Sequence, residues 1–112
     1  MKRRLGAIDP ADFGLRTDAR GLVTLYHGTT KAGALRIKAS KQLCSVGEPD
    51  VYLTTDKTGA GYGDGTVIAV KVDPRRLELD DEFPGGRFDF RINTKRPRGC
   101  TPIALAPKKR KK

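Results

Sequence analysis

Apolar and β-branched residues cluster first at Leu22-Val23-Thr24-Leu25-Tyr26, which predicts a strand ending at His27. Gly28-Thr29-Thr30 breaks that run, and Thr29 or Thr30 is a natural N-cap for a helix. Over the next dozen residues Ala34, Leu35, Ile37 and Ala39 fit the inner side of a short helix. Lys31, Arg36, Lys38 and Lys41 then fall on its wet side. A polar loop through Gly47-Glu48-Pro49-Asp50 leads into a second strand, Val51-Tyr52-Leu53-Thr54. The stretch from Asp56 to Tyr62 reads as a short helix weakened by glycine. Thr66-Val67-Ile68-Ala69-Val70-Lys71-Val72 is the strongest strand of the chain, closed by the turn residues Asp73-Pro74-Arg75. Leu77-Glu78-Leu79-Asp80-Asp81, a Pro84-Gly85-Gly86 turn, Phe88-Asp89-Phe90-Arg91-Ile92 and a last strand, Thr101-Pro102-Ile103-Ala104-Leu105, complete the pattern. The order β-α-β-α-β followed by a β-rich half predicts an α+β domain on a largely antiparallel sheet.

At 112 residues the chain has room for one hydrophobic core. Residues 21–106 are expected to form the folded domain. Residues 1–20 read as a loose basic lead-in, and 107–112 as a basic tail. The net charge is +10, with cations at both ends and also inside the body at Arg75, Arg76, Arg87, Arg91, Lys95, Arg96 and Arg98. Terminal charge runs are ordinarily solvated tails. Basic residues that persist through the body add the electrostatic footprint of a polyanionic partner. The two cysteines, Cys44 and Cys100, have no CxxC neighbour and only one histidine for company, so neither a disulfide scaffold nor a zinc site is expected. No apolar run approaches a membrane span, which leaves a monomeric cytoplasmic protein, or one delivered into a target cell as an effector.

Four features carry candidate chemistry. His27 is the single histidine and is followed at once by glycine; such a residue at a strand end is more often structural than functional. Tyr52 sits within an apolar strand, where a half-buried core tyrosine is the ordinary reading. Tyr62 lies between Gly61 and Gly63, which leaves a ring face open to a flat ligand. Asp80-Asp81-Glu82 is a run of acids in a basic protein: either charge balance for nearby arginines, or a carboxylate poised to stabilise a developing cation.

In their order along the chain these residues resemble the ADP-ribosyltransferase superfamily, in its histidine-tyrosine-acid branch. The resemblance rests on Tyr26-His27-Gly28-Thr29, then Val51-Tyr52-Leu53-Thr54, then Tyr62 and an acid after the next strand. Poly-ADP-ribose polymerases show a similar progression, and the rifampin ADP-ribosyltransferases are closer, down to a turn like Phe83-Pro84-Gly85-Gly86. The likeness spans residues 25–92. It implies a split, mostly antiparallel sheet and NAD as cosubstrate. His27 would hold the adenosine ribose; Gly28 and Thr29 would lie against the cofactor, with the Gly28 backbone on the nicotinamide carboxamide. Tyr52 would be the strand tyrosine and Tyr62 the ring that stacks on nicotinamide. Asp81 would be the catalytic acid, with Asp80 and Glu82 as alternatives.

The implied chemistry suits these residue types. Nicotinamide in NAD is a cationic ring that tyrosine faces attract. Its departure leaves an oxocarbenium-like ribose that a fixed carboxylate stabilises. The acceptor supplies the nucleophile. The short 41–50 loop and the basic helix after His27 suit a protein or nucleic-acid acceptor better than an apolar antibiotic. A small-molecule transferase of the rifampin type is one alternative. Another is a non-catalytic, basic nucleic-acid-binding module on the same fold. An RNA 2′-phosphotransferase would need a further domain, and a helix-turn-helix is hard to place in so strand-rich a pattern.

Overall fold

A computed structural model describes residues 8–59 and 64–106. Eight strands and one α-helix follow each other as β1 (Val23–Thr29), α1 (Lys31–Ser40), β2 (Gln42–Cys44), β3 (Asp50–Thr54), β4 (Thr66–Val72), β5 (Glu78–Phe83), β6 (Arg87–Asn93), β7 (Cys100–Pro102) and β8 (Ala104–Leu105). Short 3-10 turns at Pro10–Phe13, Lys57–Gly59 and Pro74–Arg76 complete the set. Six strands form one sheet in the order β5-β6-β3-β1-β4-β8, and β2 pairs with β7 in a separate two-stranded sheet. Every pairing is antiparallel. The result is a small α+β domain, mostly antiparallel sheet with few short helices.

Alternation decides which side of the large sheet is dry. Val23 and Leu25, Val51 and Leu53, Ile68, Val70 and Val72, and Phe90 and Ile92 all point to one face and are buried. Ile37 of α1 and Leu43 of β2 close over that face. Phe13, in a segment where the sequence shows no periodic element, is partly buried there too. Its ring meets Phe88 and Phe90 edge-on, at centroid distances of 4.9 and 5.2 Å. The apolar residues Ile8, Phe13 and Leu15 thus tie the chain ahead of β1 to the core.

Several elements differ from their sequence expectation for identifiable reasons. β1 does not stop at His27: β4 is seven residues long and pairs with it along its whole length, from Val23 opposite Val72 to Thr29 opposite Thr66. The ladder carries the chain through Gly28. The helix forms where expected, with Thr30 as N-cap accepting from the Gly33 N–H at 3.0 Å. Its buried stripe is Gly33, Ala34 and Ile37, while Leu35 is 67% exposed. At 100° per residue Leu35 lies on the opposite flank from Ile37. The stretch after Asp56 is a single 3-10 turn within the described residues. The final strand divides at Ile103, its two parts joining different sheets, and the Ile103 N–H donates to the Lys41 carbonyl at 3.0 Å.

Cys44 and Cys100, expected to form neither a disulfide scaffold nor a zinc site, are bonded to each other as a disulfide. β2 is too short to announce itself in the sequence, and its register sets Cys44 directly opposite Cys100. Among the described residues no helix is long and apolar enough to cross a membrane.

Candidate functional site

β1 and β3 share a single ladder pair, Tyr26 opposite Thr54. One step beyond it the His27 Nδ1–H donates to the Tyr52 carbonyl at 2.8 Å. A carbonyl can only accept, so Nδ1 holds the proton and Nε2 is left as an acceptor. Burial lowers the His27 pKa, and the hydrogen bond to Tyr52 offsets this only in part. The imidazole is therefore neutral at physiological pH.

His27 shares a face with Val23 and Leu25, on the side covered by α1. There it opens into a cleft of about 740 Å³. Gly28, Thr29 and Thr30 continue the β1 wall; Gly33, Arg36, Ile37 and Ser40 form the helix wall. Gln42, Cys44, Ser45 and Val46 form the third side. Arg36 is the only charged residue of the lining among the described residues. The close approach of α1 to β1 depends on Gly33, where a Cβ would collide with the Thr29 hydroxyl. The helix N-terminus is already occupied, since the Asp64 carboxylate accepts from the Lys31 N–H at 3.0 Å.

Tyr52 reaches this cleft through its main chain only. Its neighbours Val51 and Leu53 point into the core, so its side chain leaves by the opposite face of the sheet, across from Arg91 of β6. The hydroxyl donates to Glu48 Oε1 at 3.2 Å. Partial desolvation, that hydrogen bond and the charges of Glu48, Asp50 and Asp80 raise the Tyr52 pKa. Arg91 is held by Glu78 at 3.0 Å and by Asp80 at 3.4 Å, and these acids raise its pKa in turn.

The three acids of β5 sit differently. Asp80 lies at a register shift between Leu79 and Asp81, turned to Arg91. Asp81 is exposed and opposite Asp89, and its Oδ1 accepts from the N–H of Glu82 at 2.8 Å. Glu82 is exposed, opposite Phe88. The structure therefore gathers His27, Gly28 and Thr29 in the cleft and links His27 to the Tyr52 backbone. The Tyr52 side chain and the β5 acids stand on the other face. Tyr62, the expected stacking ring, lies outside the described residues.

Arg36, Gln42 and the disulfide wall of the cleft had no distinct signal in the sequence. Arg36 reads there as one more cation on a wet helix face, and the β2–β7 pair is too short to predict. Among the described residues no three His, Cys, Asp or Glu side chains converge as a metal-ligand set. No protein-family model, no curated protein and no solved structure matches the chain.

Proposed function

We propose that the cleft binds NAD and that the protein is a mono-ADP-ribosyltransferase acting on a macromolecular acceptor. The observation that carries this reading is the bridge from His27 Nδ1 to the Tyr52 carbonyl where β1 and β3 part. It fixes a neutral imidazole whose Nε2 can accept a hydrogen bond from a ribose hydroxyl. Arg36 supplies a positive charge in the same cleft for the diphosphate. Gly28 offers backbone where a carboxamide can approach closely.

A dinucleotide in the cleft has a ribose at His27 and its diphosphate at Arg36, on the face of the sheet opposite the Tyr52 side chain. In the reaction the bond from ribose C1′ to the nicotinamide nitrogen breaks, and its electron pair neutralises the pyridinium ring. An acceptor oxygen or nitrogen forms the new bond to C1′ and gives up its proton. The resemblance of the sequence assigns the stabilisation of the ribosyl cation in between to a carboxylate of β5. Asp80, which shares the surroundings of Tyr52 and Arg91, is supported by its neighbours; Asp81 is supported by the resemblance of the sequence. The disulfide suits a secreted or delivered effector, because such bonds persist in oxidising surroundings.

Incubation with NAD labelled in the adenine and mixed cellular protein, RNA and DNA tests the proposal. Release of nicotinamide with transfer of label to a macromolecule is the expected result. Absence of both release and calorimetric NAD binding overturns it.

A further inference from the structure

Two stretches of the chain, 19–47 and 90–106, contain no aspartate or glutamate. They are far apart in sequence, yet the β2–β7 pair and the Cys44–Cys100 disulfide fasten them together beside the cleft. At one end of β2 the Lys41 carbonyl accepts from Ile103 at 3.0 Å. At the other the Ser45 N–H donates to the Gly99 carbonyl at 2.8 Å, and the Ser45 hydroxyl donates to the Arg96 carbonyl at 3.3 Å. A three-residue strand of about 10 Å thus separates Lys41 from the turn over 94–99. Arg36 of α1, Lys41, and Lys95, Arg96 and Arg98 of that turn are all exposed.

None of these five makes an ion pair among the described residues. The paired cations are Lys71, Arg75, Arg87 and Arg91, which lie on other strands and turns. Charge here is segregated, not balanced. Backbone geometry adds an independent observation. Among the described residues the non-glycine positions with positive φ are Lys41 (59°), Lys95 (76°) and Arg98 (62°). Glycine is the ordinary occupant of that conformation, and an L side chain there is destabilising. All three positions carry a cation of this surface.

We propose that this surface docks the phosphodiester backbone of a nucleic acid. Spaced, unpaired lysines and arginines recognise phosphates without regard to sequence. The exposed large apolar residues nearby are Leu35 and Val46, with no aromatic ring among them to stack a base. The docking itself is independent of NAD. That the docked strand is also the ADP-ribose acceptor rests on the proposed reaction.

The test is fluorescence anisotropy of the full chain, without NAD, on labelled 20-base-pair DNA, 20-base-pair RNA and the matching single strands, between 50 and 200 mM salt. The key variant combines Lys41→Gly, Lys95→Gly and Arg98→Gly, which relieves the three positive-φ positions while removing three charges. A control combines Arg16→Gln, Arg20→Gln and Lys57→Gln, an equal charge change at exposed positions elsewhere. The glycine variant is expected to melt no lower than the parent. It should bind the preferred strand at least tenfold more weakly, with a salt slope shallower by about 2 to 3. The control is expected to stay within about threefold of the parent. Equal losses in the two variants, or parental affinity in the glycine variant, overturns the proposal. Competition by poly-glutamate as strong, charge for charge, as by the nucleic acid would assign the surface to an acidic protein instead and also overturns it. Failure of NAD binding leaves these readings untouched, so the two proposals fail separately.

Discussion

The imidazole of His27 gives its Nδ1–H to the main-chain carbonyl of Tyr52 at 2.8 Å, one step past the only ladder pair between β1 and β3. A side chain therefore satisfies a carbonyl beyond the end of that ladder, and the same bond sets the tautomer of the ring facing the cleft.

Replacement of His27 tests both consequences. In His27→Ala the Tyr52 carbonyl loses its partner, which costs roughly 1–3 kcal/mol for a buried polar group left unsatisfied. Denaturant melts should register that loss. NAD affinity in calorimetry should fall about tenfold or more as the Nε2 acceptor disappears. His27→Asn, which can keep a donor to the carbonyl, should recover stability better than affinity.

The neutral ring also predicts a pH dependence. The His27 pKa is lowered by burial in the folded state and returns to its ordinary value, near 6.5, on unfolding. As pH falls below that value the unfolded chain takes up a proton that the folded chain resists, so stability drops on acidification. Urea melts from pH 8 to pH 5 should show the decline in the parent and a flatter profile in His27→Ala. Asp18 acts in a lower window. Its salt bridge to Lys71, at 2.7 Å, with help from the Leu22 N–H, holds its pKa at about 2. Its contribution is fully present above the ordinary carboxylate value of 3.8 and is lost as pH falls towards 2.

Gly33→Ala should be more harmful than a helix-favouring substitution normally is. Alanine gains helix propensity, but its Cβ meets the Thr29 hydroxyl, so α1 must move away from β1. A net loss of roughly 1–3 kcal/mol is expected from such overpacking. The companion Gly33→Ala/Thr29→Ala, which removes the obstructing hydroxyl, should recover most of it in thermal melts.

Removing the disulfide tests how the cleft wall is held. Cys44 and Cys100 are 56 residues apart in sequence, and a closed loop of that size contributes about 4 kcal/mol through chain entropy. Cys44→Ser/Cys100→Ser should lose roughly 2–4 kcal/mol. Hydrogen exchange should rise in β2 and β7 more than in β1 and β4, because the small sheet shares no ladder with the large one.

The parts of this fold that were legible in the sequence are those where local pattern and tertiary demand agree. Thr66–Val72 is apolar, β-branched and central, and it forms as expected. Thr30 caps α1 because a side-chain oxygen before a helix has few better uses. The β2–β7 pair was not legible, since three residues of strand carry too little periodicity and their pairing is set by chain closure. The site was legible in its parts but not in its assembly. His27, Gly28 and Thr29 are neighbours in sequence and remain neighbours in the cleft. Whether Tyr52 faces the same way depends on strand register, and one step along a strand sends a side chain to the other face. The same limit applies to Asp80 and Asp81, whose surroundings differ because of a register shift the sequence does not announce.

Nicotinamide release from NAD, followed by chromatography for the parent, His27→Ala, Asp80→Asn and Asp81→Asn, decides whether the cleft serves an ADP-ribosyltransferase. Release by the parent is expected, with a loss of at least tenfold in His27→Ala. One of the two aspartate variants should lose a hundredfold or more, with the other near parental. No release by the folded parent in the presence of cellular protein, RNA and DNA, or release unchanged in all three variants, would contradict the proposed function.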